Sequence, residues 1–105
     1  MSAAKKPAMP GRLWVRLIRG HRTVGDLTLL CDVSHPQEAL REAMHELDLS
    51  VPVWLPRHET DWQQFRLTRF TQDHFMDAIS FDRMEISYIP SEEELKARDP
   101  SYQPK

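Results

Sequence analysis

The sequence predicts a single α+β domain, on three observations. Residues 12–31 alternate apolar and polar side chains on both sides of Gly20-His21, as a half-buried β-hairpin does. Residues 35–48 carry one apolar stripe at helical spacing, and residues 83–89 alternate again as a strand. A hairpin, one helix to cover it and a strand returning to it make a small α+β roll.

In the hairpin, Leu13, Val15 and Leu17 form one face, and Arg12, Trp14, Arg16 and Ile18 the other. Gly20-His21 offers a two-residue turn with glycine first, the type II′ signature. Counting outward from it pairs Leu17 with Val24 but sets Val15 against Asp26. One extra residue at Gly25-Asp26 brings Val15 to Leu27 and Leu13 to Leu29, so a bulge is expected there. Ser34 with Gln37 has capping-box spacing, and an early Pro36 suits a first helical turn. Ala39, Leu40, Ala43, Met44 and Leu47 then supply the buried stripe, while Glu38, Arg41, Glu42, His45 and Glu46 are solvated.

Residues 51–56, Val-Pro-Val-Trp-Leu-Pro, read as an edge strand or extended connection because proline cannot donate to a ladder. Thr60 with Gln63 suggests a single helical turn through Phe65, residues 66–70 a short strand, and residues 71–74 a 3₁₀ or helical turn. Met84, Ile86 and Tyr88 mark one face of the last strand, which Pro90 ends. Ser91 and the glutamates after it have capping potential, but residues 92–105 offer no apolar face for docking.

The 105 residues correspond to one domain over 12–89, with tails at 1–11 and 90–105 expected to be disordered or frayed. No run is long enough and apolar enough to span a bilayer, and Lys5 and Lys6 are followed by no signal-like apolar stretch. With Cys31 as the lone cysteine, in phase with Leu27 and Leu29, the expectation is a cytoplasmic protein with a buried, inert thiol. Net charge is −2, unevenly spread: residues 1–25 hold six cationic groups and no acid.

This element order resembles that of ubiquitin-like β-grasp domains. The resemblance implies that the last strand lies beside the first and parallel to it, with the helix across one face. Another small α+β roll is the alternative. The chain also resembles a group of small bacterial proteins in three segments: Arg12-Leu-Trp-Val-Arg-Leu-Ile, Phe70-Thr-Gln-Asp-His-Phe and Phe81-Asp-Arg-Met-Glu. That second resemblance covers about residues 12–89 and implies no activity.

Few residues suggest catalysis. His58-Glu59 opens like a zinc-protease motif, but Trp62 stands where the second histidine belongs. His21, His35, His45, His58 and His74 share no ligand spacing and read as scattered surface residues. Asp73-His74 is read as turn chemistry after a Thr71 cap rather than as an acid–base pair. No glycine-rich phosphate loop is present, the C-terminal Gln-Pro-Lys is not the Gly-Gly of a ubiquitin-like modifier, and one cysteine cannot hold an iron–sulfur cluster.

The reading is therefore a non-enzymatic binding or adaptor domain without cofactor or metal, engaging a protein partner. Two surfaces are candidates. Of the middle aromatics Trp54, Trp62, Phe65, Phe70, Phe75 and Phe81, most are expected in the core; Trp54, Trp62 and Phe65 are candidate protein anchors, with Trp54, between two prolines, preferred. Arg12, Trp14, Arg16, Arg19 and Arg22 are a candidate face for RNA or single-stranded nucleic acid, with stacking beside phosphate neutralisation. Against that second reading, Trp14 is also placed to be sandwiched by arginine stems, with Glu85 pairing a guanidinium.

Overall fold

The computed structural model describes residues 11–98. Residues 1–10 and 99–105, which hold most of the first expected tail and part of the second, lie outside the described residues. The elements are β1 (Gly11–Arg19), β2 (Arg22–Cys31), α1 (Pro36–Glu46), α2 (Pro56–Phe65), β3 (Leu67–Thr71), a 3₁₀ turn (Gln72–His74), β4 (Arg83–Ile89) and α3 (Glu92–Arg98). The strands form one sheet in the order β2-β1-β4-β3, and every neighbouring pair is antiparallel.

The hairpin turns at Gly20-His21 as expected. Gly20 takes φ +62° while His21 keeps a negative φ, as a type II′ turn requires. Leu13 faces Leu29 and Val15 faces Leu27. The bulge lies one residue nearer the turn than expected: Leu17 faces Gly25, Ile18 faces Thr23, and Val24 is the inserted residue. Gly25 has no positive φ, and a Cβ there would meet Leu17 Cδ1 at an ordinary 3.4 Å. The bulge therefore serves the hydrophobic register and does not require glycine. Gly11, expected in the tail, opens β1, where a Cβ would strike the Ile89 carbonyl and the Tyr88 ring.

β4 lies beside β1 as expected, but antiparallel to it. The parallel arrangement implied by the β-grasp resemblance is therefore not present. β3 runs in the same direction as β1, and the short connection of residues 72–82 sends β4 straight back between them. A parallel neighbour would have needed a full crossover.

Two further expectations are corrected. The Ser34–Gln37 capping box does not form. Asp32 organises the entry to α1 instead, its Oδ1 accepting from Ser34 N at 2.9 Å and its Oδ2 lying 3.2 Å from His35 Nδ1. The single turn expected around Trp62 is a ten-residue helix that begins at Pro56. That proline fills the first helical position, where no intrahelical N–H is needed. Arg66 then takes φ +54° and turns the chain from α2 into β3.

Both long helices cover the same face of the sheet. Ala39, Leu40, Ala43 and Met44 of α1 meet Leu13 and Val15, while Trp62 of α2, Phe70, Met84 and Ile86 complete the core with Phe75 and Phe81. Trp62 also donates its indole N–H to the Val33 carbonyl at 3.0 Å, tying α2 to the chain entering α1. The segment at 92–98, expected to be frayed, is helical. Ser91 Oγ accepts from Glu94 N, Glu94 accepts from Ser91 N, and the Tyr88 hydroxyl donates to Glu94 at 2.5 Å. A polar clamp thus holds α3 where no apolar stripe exists to do so.

Candidate functional site

The opposite face of the sheet carries neither α1 nor α2. Cross-strand register places Asp26, Thr28 and Leu30 of β2 on it, with Arg12, Trp14, Arg16 and Ile18 of β1. Arg83, Glu85, Ser87 and Ile89 of β4 and Leu67, Arg69 and Thr71 of β3 complete it. This is the face where the sequence placed Arg12, Trp14 and Arg16, and the strand pattern made it legible.

Its middle is internally paired. The Arg16 guanidinium sits 4.5 Å from the Trp14 ring centroid and donates to Glu85 Oε1 at 2.8 Å. Arg83 Nε donates to Glu85 Oε2 at 3.1 Å, so one carboxylate, its side chain 14% exposed, takes two cations. The Trp14 indole N–H donates to Asp26 Oδ2 at 3.1 Å. Glu85 pairing and arginine-on-tryptophan stacking therefore occupy much of what a base and a phosphate would need. Arg19 and Arg22 do not join the face. Arg19 turns both Nε and Nη2 to the Ser80 carbonyl, at 3.1 and 2.7 Å, and Arg22 stands exposed at the hairpin tip.

One end of the same face differs in character. Arg12 is opposed by Leu30 on one side and Ile89 on the other. Leu30 is 63% exposed, and Ile89 is exposed as well. They border a groove of about 500 Å³ between the strand ends and the start of α3, lined also by Gly11, Pro90, Glu92 and Glu93. Neither Gly11 nor the α3 glutamates read as part of a site in the sequence, because only the β1–β4 pairing brings them together.

The candidate protein anchors separate. Trp62 is a core residue and leaves the surface set, since its ring fills the space over the sheet and its N–H is satisfied by Val33. Trp54 is half-buried, with ring centroids 6.0 Å from Phe70 and 6.1 Å from His58, and its indole donates to Glu59 at 2.9 Å. Phe65 alone is open, 67% exposed at the end of α2.

The histidines hold the largest departure from expectation. His58 is fully buried, stacked on Phe70 at 4.4 Å and edge-on to His74 at 4.7 Å. Each ring caps a turn: His58 Nδ1 accepts from Leu55 N at 2.8 Å, and His74 Nδ1 accepts from Thr71 N at 3.0 Å. At the 3₁₀ turn Thr71 is the N-cap residue, as expected, and the His74 imidazole reaches back to its backbone N–H. Burial pushes the His58 pKa below the ordinary imidazole value, assisted by the neighbouring His74 and Arg57; the Arg69 carbonyl and Asp61 oppose it.

Cys31 is buried, with its pKa pushed up to about 11 by burial first and then by the Asp32 and Glu94 carboxylates. Such a thiol is a poor nucleophile. Among the described residues no group of three or more His, Cys, Asp or Glu side chains is arranged to hold a metal ion, and no helix is long and apolar enough to cross a membrane. No protein-family model, curated protein or solved structure matches the chain.

Proposed function

We propose that this domain is a non-catalytic binding module that engages a protein partner at the end of its open sheet face, around Arg12, Leu30 and Ile89. The observation that carries this reading is the pair of exposed aliphatic side chains flanking one arginine, set over a groove rimmed by Glu92 and Glu93. Apolar walls with charges of both signs suit a peptide or protein surface, where water-excluding contacts supply affinity and charge supplies orientation. The same rim disfavours a polyanion, because two carboxylates stand beside the one arginine. Glu85 likewise already neutralises two cations of the face.

The test compares the wild-type chain with Ile89→Glu and Arg12→Glu in quantitative affinity capture from the source cell, circular dichroism confirming that each variant is folded. A defined set of proteins lost from both variants is expected. Retention of the same set refutes the reading. Binding to single-stranded RNA that weakens steeply with added salt and is lost in Arg12→Glu would replace it with nucleic-acid recognition.

A further inference from the structure

β3 closes one side of the sheet, with β4 as its only strand neighbour. Tyr88 N donates to the Arg66 carbonyl, and this bond sets the phase of the pairing. Even-numbered residues of β3 turn their backbone groups to β4, while Leu67, Arg69 and Thr71 turn theirs outward. Part of that outward row is already taken. His74 Nδ1 accepts the Thr71 N–H, and the Arg69 carbonyl faces the buried His58 ring. The N–H and C=O of Leu67 and the N–H of Arg69 have no hydrogen-bond partner among the described residues. Beside this opening α2 runs antiparallel to β3, as the contacts of His58 with Phe70 and of Asp61 with Thr68 show. Arg57, Asp61 and Phe65, four apart and so on one flank of α2, meet Leu67, Thr68 and Arg69 across a groove of about 440 Å³. The groove is polarised. Phe65 and Leu67 make an apolar end, and Arg57 and Arg69 a basic one. Both arginines are exposed, and neither guanidinium has an ion-pair or hydrogen-bond partner among the described residues. Asp61, the one acid of the lining, already accepts from the Thr68 hydroxyl at 3.1 Å.

We propose that this groove binds an acidic peptide in extended form, added antiparallel to β3 as a further strand. It is a second contact surface, separate from the groove at Arg12, Leu30 and Ile89. Unpaired backbone donors and an acceptor in strand phase select a strand, since an extended peptide returns a hydrogen bond to each. Two unpartnered guanidiniums beside an engaged carboxylate select acid. The order of the peptide follows from the same geometry. The peptide residue opposite Leu67 exchanges both backbone bonds with it and is apolar. The residue two positions earlier lies opposite Arg69, gives its carbonyl to the Arg69 N–H and carries an acid. The residue before that one turns to the helix side, toward Arg57, and is acidic as well. The residue after the apolar one also turns to the helix side, beside Phe65. A nucleic acid supplies the anionic charge but no strand backbone for Leu67.

The probe is the synthetic peptide Gly-Glu-Glu-Thr-Leu-Val-Gly, labelled at its N-terminus, amidated at its C-terminus and titrated with the full chain by fluorescence anisotropy. Binding with a dissociation constant of about 10–300 µM is expected at about 25 mM salt, weakening as salt is raised. Arg57→Gln and Arg69→Gln change only exposed side chains, so circular dichroism should be unaltered, and each should weaken binding about three- to fivefold. N-methylation of the peptide's leucine removes the N–H offered to the Leu67 carbonyl and should weaken binding at least about tenfold. N-methylation of its threonine, whose N–H points away from β3, should not. No binding up to about 1 mM overturns the inference. So do equal affinities for the two N-methylated peptides, equal affinity for the reversed peptide Gly-Val-Leu-Thr-Glu-Glu-Gly, or full affinity in the double variant of Arg57→Gln and Arg69→Gln. Single-stranded RNA that binds more tightly than the peptide and is released by the same two substitutions replaces the peptide site with a nucleic-acid site. Arg12→Glu and Ile89→Glu should hold the peptide within about twofold of the wild type, and loss in them overturns the assignment to this groove. Failure here leaves the partner reading at Arg12 and Ile89 standing, and the reverse.

Discussion

Acid should loosen this domain in a pH range above that of its carboxylates, and His58 is the reason. The Nδ1 of His58 accepts the Leu55 N–H at 2.8 Å inside a fully buried ring stack. Protonating that nitrogen replaces an acceptor by a donor. The capping bond, worth about 1 kcal/mol, is lost, and a buried N–H without a partner costs a further ~1–3 kcal/mol. The folded state therefore resists the proton, consistent with the lowered pKa. In the unfolded chain His58 titrates near the ordinary value of about 6.5. Because the folded value is lower, unfolding takes up a proton as pH falls below that point. The stabilisation is complete above about pH 6.5 and declines as pH drops toward the folded value, with a slope of at most ~1.4 kcal/mol per pH unit for one proton. Asp32 and Glu59 also have lowered pKa values, but their contribution is lost only at lower pH, below the ordinary carboxylate range. Urea denaturation followed by tryptophan fluorescence between about pH 8 and about pH 5 measures the slope. His58→Asn keeps an acceptor near Leu55 N–H, costs about 2 kcal/mol at the alkaline end through the lost ring, and should flatten the profile. Equal slopes in the wild type and this variant would refute the reasoning.

Three further perturbations follow from the same contacts. Glu85→Gln leaves Arg16 and Arg83 adjacent without their shared carboxylate and should lower stability by about 1–2 kcal/mol, against a negligible change for the exposed Arg69→Gln; equal, small losses in urea denaturation would mean that the pair is solvated. Trp62→Phe removes the donor to the Val33 carbonyl and part of a buried ring, an expected loss of ~2–3 kcal/mol in the same assay. Gly25→Ala should be neutral to within about 0.5 kcal/mol, whereas Gly20→Ala, forced to a positive φ, should cost about 1 kcal/mol; thermal melts of the two distinguish a bulge set by register from one set by glycine.

Local patterning was sufficient for the hairpin, the α1 stripe and the last strand. A period of two or of 3.6 depends only on near neighbours and on which face is dry. The same periodicity identified the face that carries Arg12, Trp14 and Arg16. It failed at α2, where Pro56 was read as a bracket on an extended segment although proline at a helix start is equally natural. It also failed at His58 and Trp62. The absence of ligand spacing made the first a surface residue, and the second stood among the candidate anchors; both are buried.

What the sequence by itself determined is the α+β class, the hairpin with its bulge, and the inward and outward sets of its strands, because these follow from short-range alternation and turn chemistry. Only the tertiary structure decided the antiparallel placement of β4, the capture of Arg16 and Arg83 by Glu85, the burial of His58 beside His74, and the groove where Leu30, Ile89 and Glu92 meet. Those pairings join residues far apart in the chain. Their geometry depends on how many times the chain reverses before β4 returns to β1, a count that no local pattern records.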